Sequence, residues 1–341
     1  LIALSARAQS PVAIRGARIL TVTRGEIANG TIVFRNGKIE EVGDSLSVPE
    51  GAEIIDASGL ILTPGLIDSH SHLGLGPSGG VTEDNEMTDP WTPQLRIIDS
   101  IHPQGMEPHE GSFRDALSQG VTTIIARPGS GNVIGGQAAA LKLTGGTVDD
   151  MILAFPLDMK MALGRKGFYA SKGQMPSTRM GTAYIIRKAM VAASNYQQTL
   201  RRYDEKKSDP EAVPPERDLK AEAMLLVLNR SIPVHIHCSR VDDIMTAVRL
   251  AEEYGFRDLS LGHAEEAYKV ADELAERDVT VVVGPKMIAF DDDGRLVNLA
   301  DYLVRRGVTV HIMTDADVVQ QEFLRFQAAI AVKYGMDRAA A

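Results

Sequence analysis

The sequence predicts an α/β fold: a (β/α)8 TIM barrel preceded by a small N-terminal β unit. Three observations predict it. From residue 64 onward, short apolar runs alternate with amphipathic stretches. A glycine recurs between helix and strand, as in LSQG-VTT, EYGF-RDLSL and VRRG-VTVHI. Histidines and one aspartate fall where apolar runs end, the place a barrel uses for chemistry. The 341 residues, 44% hydrophobic and 24% charged, suffice for one large unit and one small one with a sizeable core. The net charge of −9 argues against nucleic acid or an anionic membrane as the main partner. The expected partner is a small-molecule substrate, and a homo-oligomer is compatible with this composition. No apolar run is long enough to span a membrane. The single cysteine, Cys238, excludes an intrachain disulfide.

The elements follow in order. Residues 1–10, LIALSARAQS, look like the tail of a secretory signal, an apolar stretch with Ala6-Arg7-Ala8 before Gln9. Export and a mature start near Gln9 are therefore expected. Residues 11–63 form the small β unit, expected as part of a β-sandwich. VAIRGARILTV, GTIVFRNGKIEEVG and AEIIDASGLILT alternate apolar and polar residues, punctuated by Asn36-Gly37 and Ser58-Gly59. Residues 64–341 form the barrel. Its strands are read at 66–72, 121–129, 138–145, 157–164, 232–239, 259–264, 279–285 and 308–316. Helices are read in FRDALSQG, AEAMLLVLNR, VDDIMTAVRLAEEYGF, AYKVADELAERD and NLADYLVRRG. GSGNVIGG (129–136) is rich in glycine but opens into a strand, which does not suit a phosphate-binding loop. Two long stretches, 73–110 and 164–218, follow the first and fourth strands and are expected to shape the pocket.

The polar strand ends carry the chemistry. In LIDSHSHLG, alternation places His70 and His72 on one face of the first strand, which is half of a metal site. The fourth strand carries Lys160, the fifth ends at His237, the sixth at His263 and the eighth at Asp315. Imidazoles with a carboxylate suit Zn²⁺, Mn²⁺ or Fe²⁺. His235 shares a face with His237 one pleat deeper and reads as a hydrogen-bonded core histidine. Cys238 points the other way and reads as packing. Lys142 is a rival to Lys160. Arg179, in PSTRMG, suits either a substrate carboxylate or an anchoring role for its loop.

TPGLIDSHSHLG, IPVHIHCSRVDDI, LGHAEEAY and HIMTDADVV, in this order, resemble the first, fifth, sixth and eighth strands of the amidohydrolase superfamily. The resemblance is to its imidazolonepropionase-like and prolidase-like branch and covers nearly the whole chain. It implies that His70, His72, Lys160, His237, His263 and Asp315 bind one or two divalent metals, Zn²⁺ foremost. Lys160 falls where binuclear members place a carboxylated lysine. In the family the small β unit is completed by strands from after the barrel, so a longer natural chain is expected. The implied reaction is hydrolysis of a C–N bond in an amide or cyclic amide, an X-Pro compound or an N-acyl amino acid. Metal-activated water attacks, Asp315 is the general base, and His263 assists. A heterocycle deaminase using the same site and a non-catalytic barrel are the competing readings. The deaminase needs a glutamate near the ring, which the sequence does not single out. The scaffold predicts lost ligands, and all five histidine and aspartate positions are kept.

Overall fold

The computed structural model describes residues 10–78, 81–103, 113–316 and 318–341; the leader-like residues 1–9 and His109 lie outside them. The chain divides into two compact units, Leu1–Gly65 and Leu66–Ala341.

The first unit is a five-stranded sheet. β1 (Val12–Leu20) pairs antiparallel with β2 (Glu26–Arg35), which pairs with β3 (Lys38–Gly43). β4 (Glu53–Asp56) and β5 (Ile61–Leu62) both run parallel to β1. Ala17, Ile19, Ile32 and Ala57 form its core. Alternation correctly marks these strands, but among the described residues they make one sheet, not the two faces of the expected sandwich. Both sides of β4 are left exposed.

The second unit is built on two main sheets, with two two-stranded ribbons beside them among the described residues. A six-stranded sheet takes β8 (Ile134–Gln137), β11 (Met159–Ala162), β12 (Val234–Cys238), β13 (Leu259–His263), β14 (Thr280–Val283) and β15 (Val310–Ile312), in that order. A four-stranded sheet runs β10 (Ile152–Ala154), β9 (Ala139–Lys142), β7 (Val121–Ala126) and β6 (Leu66–Ser71). From β11 to β15 every pairing is parallel. β6 and β7 are parallel too. The expected third strand departs from the barrel pattern. The segment 134–142 pairs antiparallel with β7 through β9 and antiparallel with β11 through β8. The cause is the connection. Residues 127–133 alone separate β7 from β8, and a parallel return needs roughly a dozen residues or more. Gly136, at φ 133°, lets the reversed segment pass against the Leu95 carbonyl, where a Cβ would sit 2.5 Å away. Beyond β15, Ser71 and Ala316 form a parallel bridge, and His72 N donates to the Ala316 carbonyl at 2.6 Å. The end of the last strand is thereby laid beside the end of the first.

The helices follow from caps and apolar spacing. Phe113–Ser118 (α1) leads through Gly120 into β7. The stretch after the fourth strand becomes α2 (Arg179–Lys206), capped by Thr178, whose hydroxyl accepts from Gly181 N. Its buried face, Thr182, Ile185, Ile186, Ala189, Met190 and Ala193, keeps the spacing of three and four. α3 (Leu219–Leu228) starts at Asp218, which accepts from Lys220 N and Ala221 N. α4 (Val241–Tyr254) stops at Gly255, at φ 61°. α5 (Ala271–Glu276), α6 (Leu299–Val304) and α7 (Leu324–Lys333) complete the set used here. Ile134, Met159, Met161, Ile236, Leu261 and Val281 of the large sheet pack with Ile186, Met190, Met224 and Ile244 of the helices. Each such side chain contributes about 1.5–3 kcal/mol by leaving water. Cys238 lies in this core, as its strand parity predicts. Among the described residues, no helix is long and apolar enough to cross a membrane.

Candidate metal centre

β6 delivers His70 and His72 to one point. Both Nε2 atoms stand 3.4 Å from Asp315 Oδ1, and the ligand atoms of the three residues all lie within 4.8 Å of one another. His263 Nε2 is 3.8 Å from the other oxygen, Oδ2. His237 stacks edge-on against His263 with ring centroids 4.5 Å apart. Lys160 Nζ is 3.5 Å from His70 Nε2. The structure thus gathers all six residues that the sequence pattern singled out for metal binding.

The backbone around them is strained. His263 and Asp315 sit at φ 64° and 53°, and Ala264 follows at 45°. Non-glycine residues in this region cost about 1–3 kcal/mol each and persist only where surroundings fix them. Here Ala264 N donates to the Cys238 carbonyl at 2.8 Å, and Asp315 N to the His70 carbonyl at 3.3 Å. The neighbouring strand ends therefore hold the turned residues.

Two supports were not legible as functional in the sequence. Asp68, fully buried, accepts from His70 N at 3.0 Å through Oδ1. Its Oδ2 accepts from Thr314 N at 3.1 Å, Thr314 Oγ1 at 2.6 Å and Gln321 Nε2 at 2.5 Å. It ties the first strand end to the segment that carries Asp315. Arg127, at the end of β7, donates to Asp158 at 2.7 Å and to the Ser69 carbonyl, and its own carbonyl accepts from His72 Nδ1 at 2.8 Å. The sequence signal for both was a charged side chain next to an apolar strand, which needs buried partners. Asp158 thereby goes to Arg127, not to Lys160.

These bonds set the ring protons. A carbonyl only accepts, so His72 Nδ1 carries the proton, and in the neutral ring Nε2 presents a lone pair. Burial, with the charge of Lys160 next, holds His70 well below the ordinary imidazole range. Burial does the same to His235 and His237, and lowers His263 against the pull of Asp315. Burial pushes the Asp315 carboxyl up, but the neighbouring His72, His263 and Lys160 outweigh it and bring it below its usual value. Burial, reinforced by Arg127, takes the Lys160 ammonium down to about 7. The buried rings of His70, His235 and His237 are thus held neutral beside an anionic carboxylate. Imidazole lone pairs converging with a carboxylate favour a cation between them. The buried Nδ1 of His237 also has no hydrogen-bond partner among the described residues. The donor set fits a divalent metal of borderline hardness.

Other candidates fall away from this point. Arg179 does not join it: its Nε donates to both Asp243 oxygens at 3.2 and 3.1 Å, which pins the start of α2 to α4. This contact fits the anchoring role of the two that the sequence allowed. Lys142 is exposed on β9, opposite Thr123. His102 and His311 are exposed. His235 is drawn in: it is fully buried, and its Nε2 lies 3.2 Å from His70 Nδ1.

No family model matches the chain. A crystal structure of an amidohydrolase from Thermotoga maritima MSB8 superposes with a TM-score of 0.86 at 35% identity, covering 96% of this chain and 85% of that one. The amidohydrolase tasK of Hapsidospora irregularis is 31% identical over a 344-residue alignment, which takes in 90% of this chain. A dihydroorotase of Citrifermentans bemidjiense is 48% identical over 60 residues. The chain spans about a third of the length of the first of these curated relatives (34%) and 14% of the second. With the strand-end cluster in place and this likeness along its length, the chain belongs to the amidohydrolase superfamily.

Proposed function

We propose that the chain is a metal-dependent hydrolase of amide or cyclic amide bonds, working on a barrel of eight strand positions whose third strand is reversed. The observation that carries this reading is the convergence of His70 Nε2 and His72 Nε2 on Asp315 Oδ1, at 3.4 Å each. His70, His72, His237, His263 and Asp315 would hold the metal. Lys160, buried beside His70, would bridge a second ion as its carbamate. When bound, the metal supplies a water acidified toward neutrality and a polarised substrate carbonyl.

The chain's own residues do the rest. Asp315 turns one oxygen toward His70 and His72 and the other toward His263. The second oxygen would take a proton from the attacking water and return it to the leaving nitrogen. His263, on its turned backbone, orients the carbonyl or completes the second ion's shell. The Arg127 carbonyl keeps His72 in the tautomer that leaves Nε2 free. Zn²⁺ is the preferred ion for three or four imidazoles with one carboxylate. The substrates in view are X-Pro dipeptides, N-acyl amino acids and small cyclic amides.

The test is amine release from a panel of these three classes by purified protein, with and without chelation. Release that stops on chelation and returns with Zn²⁺ is expected. Release that persists in metal-free protein, or no release from any class by metal-loaded protein, counts against the proposal.

A further inference from the structure

We propose that His235 is a positioning residue that holds His70 in the Nδ1-protonated form, so that its Nε2 lone pair faces the metal centre. The inference rests on the function proposed above. It concerns a residue outside the ligand set.

His235 is fully buried on β12, one pleat below His237. Its Nε2 is 3.2 Å from His70 Nδ1, and its Nδ1 is 2.8 Å from Ser260 Oγ. The second contact is built into the sheet, because His235 and Ser260 are direct partners in the register of β12 and β13. The two rings are 5.0 Å apart and tilted by 43°, so they meet through their nitrogens without stacking face to face. The neighbouring strand keeps the space clear. A Cβ at Gly262 would lie 2.7 Å from His235 Nε2, so any larger residue there would push the ring off His70.

Two neutral imidazoles in contact need one donor and one acceptor. The metal centre decides the direction. His70 Nε2 is the nitrogen that converges with His72 and Asp315, so in the loaded site it must offer a lone pair. The His70 proton is then on Nδ1 and donates to His235 Nε2. The His235 proton is on Nδ1 and donates to the Ser260 hydroxyl. The chain of bonds thus serves the loaded site. His70 thus has in His235 what His72 has in the Arg127 carbonyl: an acceptor that fixes its tautomer and ring plane.

The test is Zn²⁺ affinity, measured by competition with a chromophoric chelator, for wild type, His235→Leu, His235→Gln and Ser260→Ala, with thermal unfolding of each. Loss of an outer-shell partner of this kind weakens metal binding about 10–100-fold, and His235→Leu is expected in that range. His235→Gln, which returns an acceptor at similar reach, is expected to recover most of the loss. Ser260→Ala is expected to weaken binding less, and to add nothing in the His235→Leu background. Wild-type affinity in a folded His235→Leu protein overturns the inference, as does a lowered melting temperature with unchanged affinity, or a Gln variant as weak as Leu. If His235→Leu does not fold, Ser260→Ala carries the test, and unchanged affinity there overturns it. A wild-type chain that binds no Zn²⁺ overturns the metal-dependent reading itself, and this inference with it.

Discussion

Replacing Arg127 with leucine should be among the most damaging single changes in the larger unit, although Arg127 is not one of the six candidate ligands. Its side chain and that of Asp158 are 5% and 6% exposed, and they meet at 2.7 Å. Removing one partner of a buried ion pair costs about 3–5 kcal/mol, because the other charge stays in a medium that solvates it poorly. The Ser69 carbonyl also loses its donor, at about 1–3 kcal/mol, though the two terms share atoms and do not simply add. The Arg127→Leu protein should therefore lose roughly 3–6 kcal/mol in chemical denaturation. At about 2–4 °C per kcal/mol for a large unit, its melting temperature should fall by roughly 6–24 °C. The double variant Arg127→Leu/Asp158→Leu removes both charges and should regain most of the loss. A single variant within about 1 kcal/mol of wild type would refute the argument. So would a double variant no better than Arg127→Leu.

Three further outcomes follow from the same geometry. Asp68→Asn swaps an acceptor of four hydrogen bonds for a group that cannot accept them all, so a loss of roughly 2–4 kcal/mol is expected in denaturant; a change below about 0.5 kcal/mol would show that the strand ends are held by other means. In metal-free protein, His70, His235 and His237 stay neutral in the fold while the unfolded chain takes up protons below its ordinary histidine pKa of 6.5. The share of stability that these three histidines govern is thus fully present above that pH and falls as pH drops below it, by about 1.4 kcal/mol per pH unit per histidine at most; melting temperatures from pH 8 to pH 5 that stay flat or rise contradict this. Asp315→Asn should lower turnover about 10²–10⁴-fold, the usual worth of a general acid–base group; an unchanged rate would remove Asp315 as the base.

The ligand cluster was legible because chemistry at strand ends leaves a local mark. His70, His72, Lys160, His237, His263 and Asp315 each stand in or at the end of an apolar run, and strand parity aims them inward. The supports were not, because their partners are remote in the sequence. Asp68 meets Gln321, and Arg127 meets Asp158, through the closing of the sheets. Asp68 inside LIDSH did signal a need for partners, but nothing local named them. His235 read as a core histidine, and it is one; its contact with His70 depends on the lateral spacing of β6 and β12. The reversal of the third strand was missed for another reason. AAALKLTG shows the right apolar pattern, and pattern does not encode direction. The short link 127–133 does. Arg179 was open between substrate and anchor, and its pairing with Asp243, in the first turn of α4, fits the anchor.

The central claim is that these strand ends form a metal site, and metal stoichiometry tests it most directly. Elemental analysis after equilibrium dialysis against Zn²⁺ should find at least one ion per wild-type chain, two if Lys160 is carboxylated, and a large loss in His72→Ala. A wild-type chain that retains no metal, or a His72→Ala chain that retains it in full, would contradict the account.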